Sequence, residues 1–212
     1  MVFQPSKDKT VYNLDVAYGI VKERLAQIDV AEQCRRSGAD CTPDVAILLS
    51  YLHETYSLDV KAASAALVPP SRELSLRENI LLLHYFTHAT GNPLTGKQVT
   101  YRDLPGGLVY YPTFIKRTIQ PLTNTFGKDA ALLLHLSASL GARRLDYGDA
   151  GLVIDAFPKV PITLVLWQGD DELAGEVNLL FDSSITDYLE SEDVTVVCEA
   201  ITWRLVKAAG KQ

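Results

Sequence analysis

His84 and His88, four residues apart, are the most chemically suggestive pair in this 212-residue sequence. On a helix that spacing puts both imidazoles on one face, and Arg77 and Leu81 continue the face towards the N-terminus. Two such rings can share a metal or flank a cofactor. The spacing is only half of an H-E-x-x-H signature, because Tyr85 stands where the catalytic Glu would be. The plainer reading is a pair of half-buried histidines hydrogen-bonded near a helix C-terminus, where the helix dipole favours a positive ring. That reading is preferred, and no metal ligand set is assigned.

A second candidate is Pro105-Gly-Gly-Leu-Val-Tyr-Tyr-Pro-Thr-Phe114, which combines flexible backbone with aromatic side chains just before an expected helix. Aromatic faces and free amides suit a pocket for a planar or anionic ligand. The sequence holds neither G-x-G-x-x-G nor G-x-x-x-x-G-K-[ST], so this is no nucleotide fingerprint. A structural loop over the core is the competing interpretation. The ligand- or cofactor-binding candidates are therefore Arg77, His84, His88, Tyr110 and Tyr111, bordering one opening between a core helix and this loop. Nothing identifies the cofactor or a catalytic residue.

Other constellations carry less. Asp170-Asp171-Glu172, with Glu176 and Asp182 nearby, could offer carboxylates to a hard cation or to acid-base work. A solvated hairpin tip explains the run better. There is no G-x-S-x-G elbow, and Cys198 falls in the apolar stripe of the last helix, where a thiol is usually inert packing.

The elements that must position these residues follow from periodicity. Apolar residues from Thr10 to Asp29 recur at helical spacing. A short helix through Glu32 to Arg36 should stop at Gly38. Val45 to Leu49 and Tyr56 to Val60 read as strands joined through Leu52-His53-Glu54. Ser75-Leu-Arg-Glu78 is a capping box, which predicts a helix from Leu76 to about Thr90, central because Ile80 to Leu83 are apolar on every side. Gly96 to Pro112 reads as a punctuated loop, followed by a helix that Thr113 caps and Pro121 kinks or ends. Gly127 and Gly141 bracket another helix. Ile162–Trp167 and Val177–Phe181 predict a hairpin, and Ser184-Ile-Thr-Asp187 a second capping box opening helical segments over about 184–207. The expected fold is α+β, an antiparallel sheet of about four to six strands with helices packed on it, in one domain over residues 1–212.

Composition narrows the partners. Hydrophobic residues make up 47% and charged residues 22%, enough apolar surface for a real core. Twenty Lys plus Arg against 26 Asp plus Glu give a formal charge of -6, which disfavours nucleic acid and anionic membrane as partners. The first ten residues lack the apolar region of a signal peptide, and no later stretch suits a spanning helix, so the expected address is cytoplasmic. Three cysteines, Cys34, Cys41 and Cys198, with no CxxC pair, signal neither a disulfide framework nor a zinc site. All three are expected to be reduced.

The segment Leu74-Ser-Leu-Arg-Glu-Asn-Ile-Leu-Leu-Leu-His-Tyr-Phe86, with Pro93-Leu-Thr-Gly-Lys97, Leu104-Pro-Gly-Gly107, Phe126-Gly127 and Leu164-Val-Leu-Trp-Gln-Gly-Asp-Asp-Glu172, resembles the domain-of-unknown-function family numbered 3786. The pieces span roughly Gly38 to Leu189. The resemblance implies a setting in anaerobic bacteria and archaea, where some members are joined to an iron–sulfur domain like that of corrinoid proteins. It supplies no catalytic residues. This chain has no cysteine-rich segment, so any cluster would come through a partner. The leading expectation is a ligand- or partner-binding protein accessory to corrinoid or iron–sulfur metabolism, bound to a small ligand or to an iron–sulfur or corrinoid protein. A small enzyme using His84 or His88 with a carboxylate or metal is the alternative, and a pure protein-interaction module is the third.

Overall fold

The computed structural model describes residues 14–41 and 46–211. Helix α1 (Leu14–Leu25) buries Ala17, Val21 and Leu25. It ends earlier than its periodicity suggests, because Asp29 starts a new helix: its side chain accepts from the Glu32 amide and caps α2 (Val30–Ser37). Residues 10–13 of the expected first helix, and Val45 of the expected strand, lie outside the described residues. Gly38, at φ 72°, closes α2 in the left-handed conformation.

The chain then forms a four-stranded antiparallel meander of β1 (Asp40–Cys41), β2 (Ile47–Tyr51), β3 (Glu54–Asp59) and β4 (Ser64–Val68). The β2–β3 turn places Leu52 and His53 at φ 47° and 66°, without the glycine or asparagine such turns favour. Burial of the Leu52 side chain, and the bond from its amide to the Ala156 carbonyl, hold it there.

Helix α3 (Leu76–His88) starts at the predicted capping box, with Ser75 and Glu78 satisfying each other's amides. Ile80 to Phe86 are all buried, so it is the central helix the sequence indicates. The rest follows as β5 (Gln98–Thr100), α4 (Gly107–Arg117), α5 (Ile119–Phe126), α6 (Ala130–Ser137), β6 (Arg143–Leu145), β7 (Ala150–Phe157), β8 (Val160–Trp167), β9 (Glu176–Asp182) and α7 (Ser191–Ala209). The second sheet has the order β5-β9-β8-β7-β6 and is antiparallel throughout. The class is α+β as expected, but its strands divide between two sheets. They meet at Phe157, whose ring stacks on Tyr51 of β2 at 4.7 Å and on Tyr85 of α3 at 4.0 Å.

Four expectations change. The segment read as a loop up to Pro112 is helical from Gly107, with Pro112 inside it and Thr113 not a cap. Proline removes the amide that would bond the Leu108 carbonyl, and both residues lie on the exposed face, where water can take that bond. Pro121 falls in the first turn of α5, a position that tolerates proline, and the break comes earlier, at Thr118. Ser184–Asp187 belongs to a 3-10 turn whose cap is Asp182, and the last helix begins at Ser191. Finally, Cys34 and Cys41 are joined by a disulfide, leaving Cys198 as the free cysteine among the described residues. The turn at Gly38 folds β1 back beside α2 and brings the two Cα atoms to 6.2 Å, within the range a disulfide spans.

Candidate functional site

Helices α3 and α7 run antiparallel, and the polar face picked out on α3 meets carboxylates of α7 and of its N-cap, Glu190. Arg77 Nη1 donates to Glu199 Oε2 at 3.4 Å, His84 Nδ1 lies 3.1 and 3.0 Å from the two Asp193 oxygens, and His88 Nε2 lies 3.2 Å from Glu190 Oε1. The three form a ladder. On α3 the rungs sit seven and four residues apart, so that side projects from a single face; opposite it Asp193 and Glu199 lie within α7 and Glu190 is its N-cap. Only the middle rung is fully covered: the His84 and Asp193 side chains are 6% and 4% exposed, against 39% and 22% for Arg77 and Glu199.

Each end of the ladder branches. His88 Nδ1 donates to the His84 carbonyl at 3.0 Å, and its Nε2 also faces the Arg24 guanidinium of α1. The two imidazoles meet edge to face, with centroids 5.5 Å apart. At the other end Glu199 also accepts from Arg117, whose Nη1 donates to the Tyr110 hydroxyl at 3.1 Å. Glu192, in the first turn of α7, has its carboxyl pushed above the usual range by burial, reinforced by Asp193 and Glu190 and offset by Arg77 and Arg117.

The five residues singled out in the sequence therefore fall into three groups. Arg77 and Tyr110 share one network through Glu199 and Arg117. His84 and His88 stand further along the ladder, on Asp193 and Glu190. Tyr111 faces elsewhere, its ring under the Arg102 guanidinium at 4.1 Å and beside Phe114. Two described concavities, of about 590 and 400 Å³, lie on the β2–β4 hairpins and beside the β6–β7 turn, and neither is lined by any of the five.

Sequence reasoning missed Asp193, Glu199, Glu190, Glu192 and Arg117. Acidic residues in and just before the last helix were visible in the sequence, but only the antiparallel pairing reveals which of them oppose the basic residues of α3. The hydroxyls of Tyr51 and Thr202, both fully buried and without a hydrogen-bond partner, also gave no sequence signal. Asp170 accepts from the Glu172 and Leu173 amides, which makes the acidic run a self-bonded turn. No group of three or more His, Cys, Asp or Glu able to hold a metal occurs among the described residues. Burial raises the pKa of the Cys198 thiol, so it stays protonated and inert at neutral pH.

The family model described as Domain of unknown function (DUF3786) matches residues 29–204. The chain belongs to this DUF3786 family. The match extends past both ends of the span suggested by the motifs, to take in α2 and most of α7, and so includes both sides of the ladder. No curated protein and no solved structure matches the chain. Among the described residues no helix is long and apolar enough to cross a membrane.

Proposed function

We propose that this DUF3786 protein is a non-catalytic binding protein whose partner docks on the head of α4. The observation that carries the reading is the exposure of Leu108 and Val109, 71% and 88%, at consecutive positions of an ordered helix. Contiguous apolar side chains left in water are the kind of surface that a partner covers. Behind them Tyr110 and Arg117 fix α4 to the Arg77–Glu199 rung, so the surface is presented rigidly. The polar groups that a hydrolytic or metal-assisted reaction would need, His84 above all, are already engaged by protein partners.

The metabolic setting, anaerobic corrinoid or iron–sulfur chemistry, rests on the family resemblance and decides which partner to try first. The purified protein is titrated with a corrinoid iron–sulfur protein and, separately, with hydroxocobalamin. The expected result is a complex with the protein, weakened about ten-fold or more by the pair Leu108→Asp and Val109→Asp, the size of an interface hot spot. Binding of neither, or binding indifferent to that pair, overturns the reading; binding of hydroxocobalamin alone replaces it with small-ligand capture.

A further inference from the structure

The bond between Cys34 and Cys41 joins two very different neighbourhoods. Cys34 is 4% exposed within α2, whereas both residues of β1, Cys41 included, are exposed at the edge of the first sheet. Among the described residues β1 pairs with β2 at Asp40 with Leu48 and at Cys41 with Ile47. An edge strand whose described side chains are both exposed gains little stability from burial of its own. α2 is anchored without the sulfur bond: Gln33 Nε2 donates to the Phe86 and Ala89 carbonyls, and the Tyr85 hydroxyl donates to the Ser37 carbonyl at 2.6 Å. In compartments kept reducing, disulfides are usually transient and redox-sensing.

We propose that Cys34 and Cys41 form a redox-sensitive latch on the edge of the first sheet. A thiolate of a dithiol reductant attacks the exposed Cys41 sulfur, and the Cys34 sulfur leaves with the bonding electron pair and takes up a proton. The reductant's second thiol then attacks the mixed disulfide, releasing Cys41 as a thiol and closing the reductant's own disulfide. Two electrons and two protons pass to the protein. β1 detaches from β2 while α2, β3 and α3 keep their bonds, so the opening is local.

Cysteine alkylation read by mass spectrometry, with hydrogen exchange on the same samples, tests this in the full chain. Cys198, fully buried in α7, is the internal control for global unfolding. After mild oxidation, only Cys198 should alkylate, and only in denaturant. After dithiothreitol, the native protein should take label at Cys41 with Cys198 untouched, and amide exchange over Ile47–Leu49 should rise about ten-fold or more while Leu81–Phe86 is unchanged. Cys41→Ser, a change at an exposed position, should reproduce the raised exchange without reductant. Three free thiols after mild oxidation, exchange that ignores reduction, or labelling of Cys198 together with Cys41 would each overturn the proposal.

Discussion

His84 on α3 and Asp193 on α7 hold each other at 3.0 Å inside a helix interface that leaves both side chains almost without contact with water. Removing one member of a buried pair strands the other, and the desolvation cost of the stranded group then falls wholly on the folded state. His84→Ala and Asp193→Ala should each lower the unfolding free energy by about 3 kcal/mol. The double variant should lose markedly less than the sum of the two. Arg77→Ala, at a partly exposed rung, should cost under about 1 kcal/mol. Urea denaturation of the four variants beside the parent protein checks all three statements; equal losses at both rungs would remove the distinction between buried and exposed pairs.

The orphan hydroxyl of Tyr51 makes the opposite prediction. It is buried beside aromatic neighbours and finds no acceptor or donor, and burial raises its pKa far above the ordinary tyrosine value. Tyr51→Phe keeps the ring and deletes the unsatisfied group, so stability should rise by about 1 kcal/mol. A rise in melting temperature is the readout. A clear fall would mean that the hydroxyl serves a partner in the folded protein.

Asp182 governs the response to acid. Its burial opposes ionisation, but bonds from the Ser184 hydroxyl and amide, from Thr95 and from the Gly96 amide overcome this and hold its carboxyl well below the ordinary 3.8. Because the folded value is the lower one, its stabilisation is complete above the ordinary value and is lost as pH falls below 3.8 towards the folded value. Asp182→Asn should therefore cost roughly 2 kcal/mol at pH 6, with the gap to the parent protein closing below pH 4. Denaturation curves at both pH values give the comparison.

Gly141 stands at φ +64°, and a methyl group there would come within 2.6 Å of His53 Nδ1 in the β2–β3 turn. Gly141→Ala meets both the left-handed penalty and a clash, and should cost about 2 kcal/mol. Adding His53→Ala should recover part of that loss, since it removes the clash and leaves the backbone strain. No recovery in thermal melts would mean the backbone alone decides the effect.

Much of the fold is written locally. Ser75 with Glu78 marks the start of α3, Gly38 the end of α2, and the alternation from Val177 to Phe181 marks β9, because a cap, a left-handed glycine and a two-residue period each act within a few residues. β1, β4, β6 and β7 went unread, and β5 was taken into the loop from Gly96, since short or continuously apolar strands have no distinguishing period. Pro112 misled in the other direction: an exposed helix face tolerates a missing amide that a buried one would not. The candidate site was half legible. Arg77, His84 and His88 do share a face, but their partners lie across an interhelix contact, and no local pattern encodes which helix answers which.

The separation of 109 residues between His84 and Asp193 also bears on how the chain is made. A ribosome completes α3, which packs against α1, α2 and β4, long before α7 has been synthesised to pair with its polar face. Until the last helix arrives His84 lacks its carboxylate and the faces of α5 and α6 that α7 packs against stay bare, so chains cut short before Ser191 should aggregate or be held by chaperones, and the C-terminal helix acts as the closing step of biogenesis.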